Sequence, residues 1–174
     1  MLIILIASSL AVVSSFAAPF LAEQGIATGL DGRIGAIDHS GLWSSMDPIS
    51  HIAYLVGDFM CHQESTRSFV LNGNQMPFCI RDVSLLAGLA IGCALAAWKR
   101  KELGRMSGHQ AAFCFALILL TPAEWIAEAV TGEDLVIPRI IVSVVTALAA
   151  SVLLAWVLER EYGTARGSEP SESK

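Results

Sequence analysis

The chain has 174 residues, one domain's worth, and only 16% of them are charged, against about 25% in a soluble domain. Apolar residues make up 54%, mean hydropathy is +0.59, and the net charge of −5 sits mostly in loops and the C-terminal tail. No run of Lys and Arg suits nucleic acid. The apolar residues gather in long blocks, so the expected solvent is a lipid bilayer.

The first block, Leu2 to about Leu21, is long enough to span a membrane. Ser14, Ser15, Ala17 and Ala18 are small residues of the kind found at a signal-peptide cleavage site. No Lys or Arg precedes the apolar run, however, so an uncleaved helix is expected. Glu23 to Met46 is polar and carries Gly25, Gly29, Gly32, Gly35 and Gly41, which predicts an extended loop. Asp47-Pro48 is a helix start, an N-cap acceptor followed by proline at the first helical position. From there to about His62, Ile49, Ile52, Ala53, Val56 and Phe59 recur at helical spacing. This predicts a short amphipathic helix that lies in the interface or packs on the bundle.

Gln63 to Pro77 is polar, with a turn expected at Asn72-Gly73. The second span runs from about Cys79 to Trp98 and holds Gly88 and Gly92, a small-residue pair that lets another helix come close. The third runs from about Gln110 to Val130. After a connector, Gly132 to Pro138, the fourth runs from about Arg139 to Leu158. Lys99, Arg100, Lys101 and Arg105 lie between spans two and three, and Arg160, Arg166 and Lys174 lie in the tail. Placing both on the inside predicts a multi-pass protein of the cell membrane with both termini cytoplasmic. The 23–78 loop and the short connector then face outside.

The predicted fold is all-α: a polytopic four-helix transmembrane bundle with a short helix and loop at its outer face. Residues 1–162 form a single transmembrane domain with spans at about 2–21, 79–98, 110–130 and 139–158, and residues 163–174 form a disordered cytoplasmic tail.

The chemistry-bearing residues collect at the outer face. Cys61, His62, Cys79 and Asp82 fall at a helix end and a span start, and thiolate, imidazole and carboxylate are the ligand types zinc takes. Cys79 and Asp82 are three apart, one helical turn, and face one point. Cys61 and His62 are neighbours, so both ligate only if the helix frays there. His51, Tyr54, Asp58 and Cys61 share a face of the preceding helix. Glu124 and Glu128 follow Pro122 on the third span at a depth similar to Asp82, and carboxylates inside a span face a polar interior or cavity. Glu124 is the candidate general base.

Other readings stand beside these. Cys61 and Cys79 can form a plain disulfide, or stay as buried thiols. Glu124 and Glu128 can simply pair with Arg81 or Arg139, which open spans at the same face. Arg67 can hold loop carbonyls or bind an anion. His51 reads as a helix-surface histidine, and His39 and His109 as loop and boundary residues. Cys93 and Cys114 lie mid-span at different depths and read as packing residues.

Cys61-His62-Gln63, then Arg67-Ser68-Phe69, then Gly73-x-Gln75-x-Pro77-x-Cys79-x-Arg81 resembles the signature of a prokaryotic membrane family, domain of unknown function 2085. Many members read Cys-x-Arg-Cys at the end of that signature, where this chain has Asp82. The run Asp82 to Gly92 is similar to the family's glycine-bearing span. Pro122 and Glu124 map loosely onto a Pro-x-x-x-acid-Gly element whose Asp-Gly is absent here. The specific likeness covers Cys61 to Gly92. It implies that the Cys-His-Gln segment is a defined site. The Asp at 82 keeps a metal-ligand type and loses a disulfide partner, which favours metal over redox chemistry. The resemblance implies no activity.

The leading expectation is therefore an integral membrane metalloprotein with zinc, or another divalent transition metal, on Cys61, His62, Cys79 and Asp82, in a structural or a catalytic role. One alternative is a thiol-redox membrane protein using Cys61 and Cys79, against which stands the absence of Cys-x-x-Cys. Another is a non-enzymatic scaffold, a homo-oligomer or a subunit of a larger membrane complex. A transporter is disfavoured, because no charged residue sits deep in spans one or four.

Overall fold

The computed structural model describes residues 1–133 and 135–167. Four stretches of helix are long and apolar enough to cross a membrane: Leu2–Leu21, Ile80–Trp98, Gly108–Thr131 and Val136–Glu161. They belong to α1 (Leu2–Leu21), α4 (Ile80–Trp98), the pair α6 (Gly108–Ile118) and α7 (Leu120–Thr131), and α8 (Val136–Gly167). Between α1 and α4 stand α2 (Ser40–Trp43), α3 (Pro48–Met60) and a minimal hairpin, β1 (Val70–Leu71) with β2 (Asn74–Gln75). A short helix, α5 (Arg100–Leu103), lies in the basic loop at the opposite end.

α4 is at the centre. It packs on α1 on one side and along α8 on the other, and the third span leans on α8. The approach of α4 to α8 depends on two glycines. A Cβ on Gly88 would stand 2.9 Å from the Val144 carbonyl, and one on Gly92 would stand 2.6 Å from Ser151 Oγ. Side chains thus give way to backbone at this crossing, where dispersion and not water exclusion holds helices together.

The third span is broken rather than continuous. Pro122 lacks the N–H that would reach Ile118, and the helix is interrupted at Leu119. The Thr146 hydroxyl donates to the Leu117 carbonyl at 3.2 Å and bonds the Thr121 hydroxyl at 2.8 Å, supplying polar partners at the break. The fourth helix begins at Val136, two residues before Pro138, because proline is at home in a first turn, where the N–H has no helical partner. It also runs on through Gly167. The described part of the expected disordered tail, 163–167, is helical, since adding residues to an existing helix needs no new nucleus. Residues 168–174 lie outside the described residues.

The 23–78 segment folds onto one end of the spans. It is more structured than an extended loop: Trp43 is fully buried and stacks on Tyr54 with ring centroids 5.0 Å apart, in a core with Ala18, Ala27, Leu30 and Ala53. Asp47 caps α3 as its type predicts, accepting from the backbone N–H of Ile49 at 3.0 Å and Ser50 at 3.1 Å. Asn72 and Gly73 both have positive φ, +52° and +74°, the backbone a two-residue hairpin turn demands.

The last carbonyls of a helix lack the N–H groups of a following turn, and the loop supplies donors here. The Pro19 carbonyl accepts from the side-chain amides of Asn72 and Asn74 at 3.1 and 2.9 Å, and Ser50 Oγ donates at 3.0 Å to the Ala18 carbonyl, which also accepts from the Ala22 N–H.

Candidate functional site

Cys61 terminates α3 and Cys79 starts α4, and the two are brought together by the chain between them. α3 ends at Met60, two residues before the expected limit. Gln63 follows with φ +49° and its side chain wholly buried. Its Nε2 donates to the Pro77 carbonyl at 2.9 Å, while the Gln75 side-chain amide donates to the Gln63 carbonyl. On the other side of Pro77 is Gly57, where a Cβ would stand 2.1 Å from the same carbonyl oxygen. The segment leading into α4 therefore lies directly on the last turns of α3. The Tyr54 hydroxyl adds a third tie, donating to the Gln75 carbonyl at 2.6 Å.

This places Cys61 Sγ 3.4 Å from the backbone N of Cys79, and Cys79 Sγ 3.2 Å from Asp82 Oδ2. One ligand atom from each of Cys61, Cys79 and Asp82 lies within 4.8 Å of the others. Cys61 is buried, the other two are partly so, and both cysteines are free thiols. The Cys79 and Asp82 contact is the one-turn spacing at work.

Its hydrogen bond to Cys79, then burial, pushes the Cys61 thiol up. The same bond, donated to its sulfur, pulls Cys79 down, while burial and the Asp82 carboxylate oppose. Two sulfurs and a carboxylate oxygen converging in this way are a donor set that would hold a cation.

His62 is not drawn into this cluster. Cys61 has extended backbone, φ −132° and ψ 148°, so successive side chains point to opposite sides. The His62 ring engages the Gly32 carbonyl through Nδ1 at 3.0 Å and is exposed.

Glu124 and Glu128 are also elsewhere, in an ion-pair group that joins three helices. Arg81 Nη2 of α4 reaches Glu124 at 2.9 Å and Glu128 at 2.6 Å. Arg139 of α8, only 1% exposed, meets Glu128 at 2.5 Å and Glu124 at 3.9 Å. Two guanidiniums and two carboxylates balance, which is what a low-dielectric setting requires.

Asp58 is fully buried and holds the loop. It accepts from the His39 backbone N–H at 2.9 Å and from Trp43 Nε1 at 2.8 Å, with the His39 ring at 3.4 Å. His51 is likewise tied to the loop, with Nδ1 2.7 Å from the Trp43 carbonyl. Arg67 pairs with Glu64 at 3.3 Å.

A cleft of about 320 Å³ opens onto the cluster. Cys61, Cys79 and Asp82 form part of its wall. His62, Glu64, Arg67 and Arg81 supply further polar groups, and Ile34, Met60 and Trp125 an apolar side. Glu124 does not line it.

The residues that sequence reasoning passed over are Gln63 as a clamp, Asn74 as a cap and Trp125 as a wall. The usable signal for the first two was a run of amides in a polar segment between apolar helices, too polar to be there unless bonded inward.

The profile of the family described as predicted membrane protein (DUF2085) matches residues 61–157, and the chain belongs to that family. No curated protein and no solved structure matches the chain.

Proposed function

We propose that this family member is an integral membrane metalloprotein in which Cys61, Cys79 and Asp82 hold one divalent transition-metal ion, zinc in the first place. The observation that carries the reading is the convergence of three ligand atoms within 4.8 Å, from two helix ends far apart in the chain. Two sulfurs and a carboxylate oxygen suit zinc and do not suit magnesium or calcium, which prefer oxygen alone. A divalent cation would also draw the two thiols into their thiolate form, since metal ligands must be deprotonated.

Three protein ligands would leave a fourth position, and all three residues line the cleft. That is the pattern of a catalytic rather than a structural zinc site, in which the metal lowers the pKa of a bound water. Glu124, committed to Arg81, is poorly placed as its general base, and Glu64 on the cleft wall is nearer the role. A closed structural site would need His62 Nε2 as a fourth ligand, since Nδ1 engages the Gly32 carbonyl. The Lys and Arg bias puts the metal end outside the cell membrane and both termini in the cytoplasm.

Metal content per chain, on protein purified without chelator or an affinity metal, tests this directly. One equivalent of zinc in the wild type, lost in the Cys61→Ala/Cys79→Ala double variant, is the expected result. No metal in either form ends the reading. The thiol-redox alternative rests on the closeness of the two sulfurs, and mass analysis finding a Cys61–Cys79 disulfide in metal-free protein would favour it. Metal-free protein with both thiols free would leave the scaffold role.

A further inference from the structure

The cleft beside the three ligand atoms is two-natured, and its position between helices says from where it is filled. One side carries the ligand set and the guanidinium of Arg81, and the other carries Met60 and Trp125, both more than half exposed. Arg81 belongs to α4 and Trp125 to α7. These helices do not pack closely on each other; each packs on α8. What ties them at this end is the pair of bonds from Arg81 Nη2 to Glu124 and Glu128. The third span contributes no buried residue within its apolar window, so the Trp125 side of the cleft lies on an open face of an apolar span, where a bilayer would lie against it.

The polar side has capacity left over. A guanidinium offers five N–H donors. Among the described residues the Arg81 hydrogen bonds run through Nη2, and Nε is buried without a partner. A planar fork of donors beside a metal is built for an oxyanion, phosphate or carboxylate, which can take a metal bond and N–H bonds together. The volume, about 320 Å³, is at the small end for ligand pockets and holds a head group but not an acyl chain.

We infer that the cleft takes the anionic head group of an amphiphile that enters sideways from the bilayer, its oxyanion at the metal and Arg81 and its apolar part against Trp125. This rests on the metalloprotein reading. The same head-group chemistry exists in free phosphate, and the apolar wall is what favours a membrane source.

The test uses full-length protein in nanodiscs of neutral phosphatidylcholine, loaded with cobalt(II), whose visible absorption reports its ligands. It is titrated with inorganic phosphate and, separately, with a short-chain phosphatidic acid. A saturable spectral change with the lipid, at a concentration about tenfold or more below that needed for inorganic phosphate, is expected. Trp125→Ala should remove that preference and leave the response to inorganic phosphate unchanged. Arg81→Gln should weaken both by about tenfold with cobalt still bound. If Arg81→Gln does not fold, the Trp125→Ala comparison decides. Equal response to both probes, or no loss of preference in Trp125→Ala, overturns entry from the bilayer. No response to either, with cobalt bound, overturns the oxyanion site. Failure to bind cobalt at all removes the metal reading and this inference with it.

Discussion

Gln63 Nε2 donates to the carbonyl oxygen of Pro77 at 2.9 Å, one of the bonds that tie the end of α3 to the start of α4. Gln63 is fully buried and held at φ +49°, so the chain accepts an unfavourable backbone to make it. Cys61 lies two residues before this bond and Cys79 two residues after it. The bond thus helps to set the separation of the sulfurs without touching either.

Gln63→Leu should therefore damage the site more than its distance suggests. It leaves a buried carbonyl without its donor, at a cost of about 1–3 kcal/mol. Zinc per chain should fall, and both cysteines of metal-free protein should react faster with a maleimide. Gly57→Ala should act the same way from the opposite side, because its Cβ would stand 2.1 Å from the same oxygen. Unchanged thiol reactivity in both variants would show that the cysteines are positioned by something else.

The metal-free protein should lose stability in alkali. Cys61 is pushed above the ordinary thiol range by its bond to Cys79 and by burial, whereas in the unfolded chain it titrates at about pH 8.5. A raised folded value means the stabilisation is complete below the unfolded pKa and drains away as pH climbs beyond it. Cys79, shifted down, works in the other direction: its contribution grows as pH rises up to the ordinary thiol range and then stays level. Thermal unfolding in chelator should thus show a maximum near the ordinary thiol pKa and a decline above it. Cys61→Ser should abolish the decline.

The α4–α8 crossing should tolerate nothing larger than glycine at position 88. Gly88→Ala brings a Cβ to 2.9 Å from both the Val144 carbonyl and the Ala147 Cβ, backbone and a short side chain that cannot swing away. A loss of about 1–3 kcal/mol is expected from the overpacking. Gly108→Ala meets nothing within 4 Å and serves as the neutral control. Melting temperatures in one detergent, compared across the two variants, check this.

Breaking the ion group should cost more than removing part of it cleanly. Arg139→Leu leaves Glu124 and Glu128 both leaning on Arg81, and an unbalanced buried charge costs about 3–5 kcal/mol. Arg139→Leu/Glu128→Leu keeps the Arg81–Glu124 pair and removes one charge of each sign, so it should recover much of the loss. A double variant no more stable than Arg139→Leu alone would mean that the pairing with Glu128 is not what Arg139 contributes.

Much of this protein is set by local rules that a sequence expresses directly. Four long apolar blocks determine four helices, because lipid leaves a backbone no other way to satisfy its polar groups. Asp47-Pro48 determines the start of α3, Asn72-Gly73 the hairpin, and the three-residue spacing the meeting of Cys79 with Asp82. Only the tertiary structure decided which partners the remaining polar groups take. His62 follows Cys61 in sequence but leaves the cluster, since extended backbone at Cys61 sends neighbouring side chains apart. By sequence Glu124 is expected at the depth of Asp82, but it belongs to Arg81 and Arg139, on the spans before and after its own. Gln63, Asn74 and Gln75 look like loop amides and are buried bonds that hold the site together. Spacing along one element determines direction within that element. A bond between elements depends on how the helices pack, and no single stretch of sequence contains that.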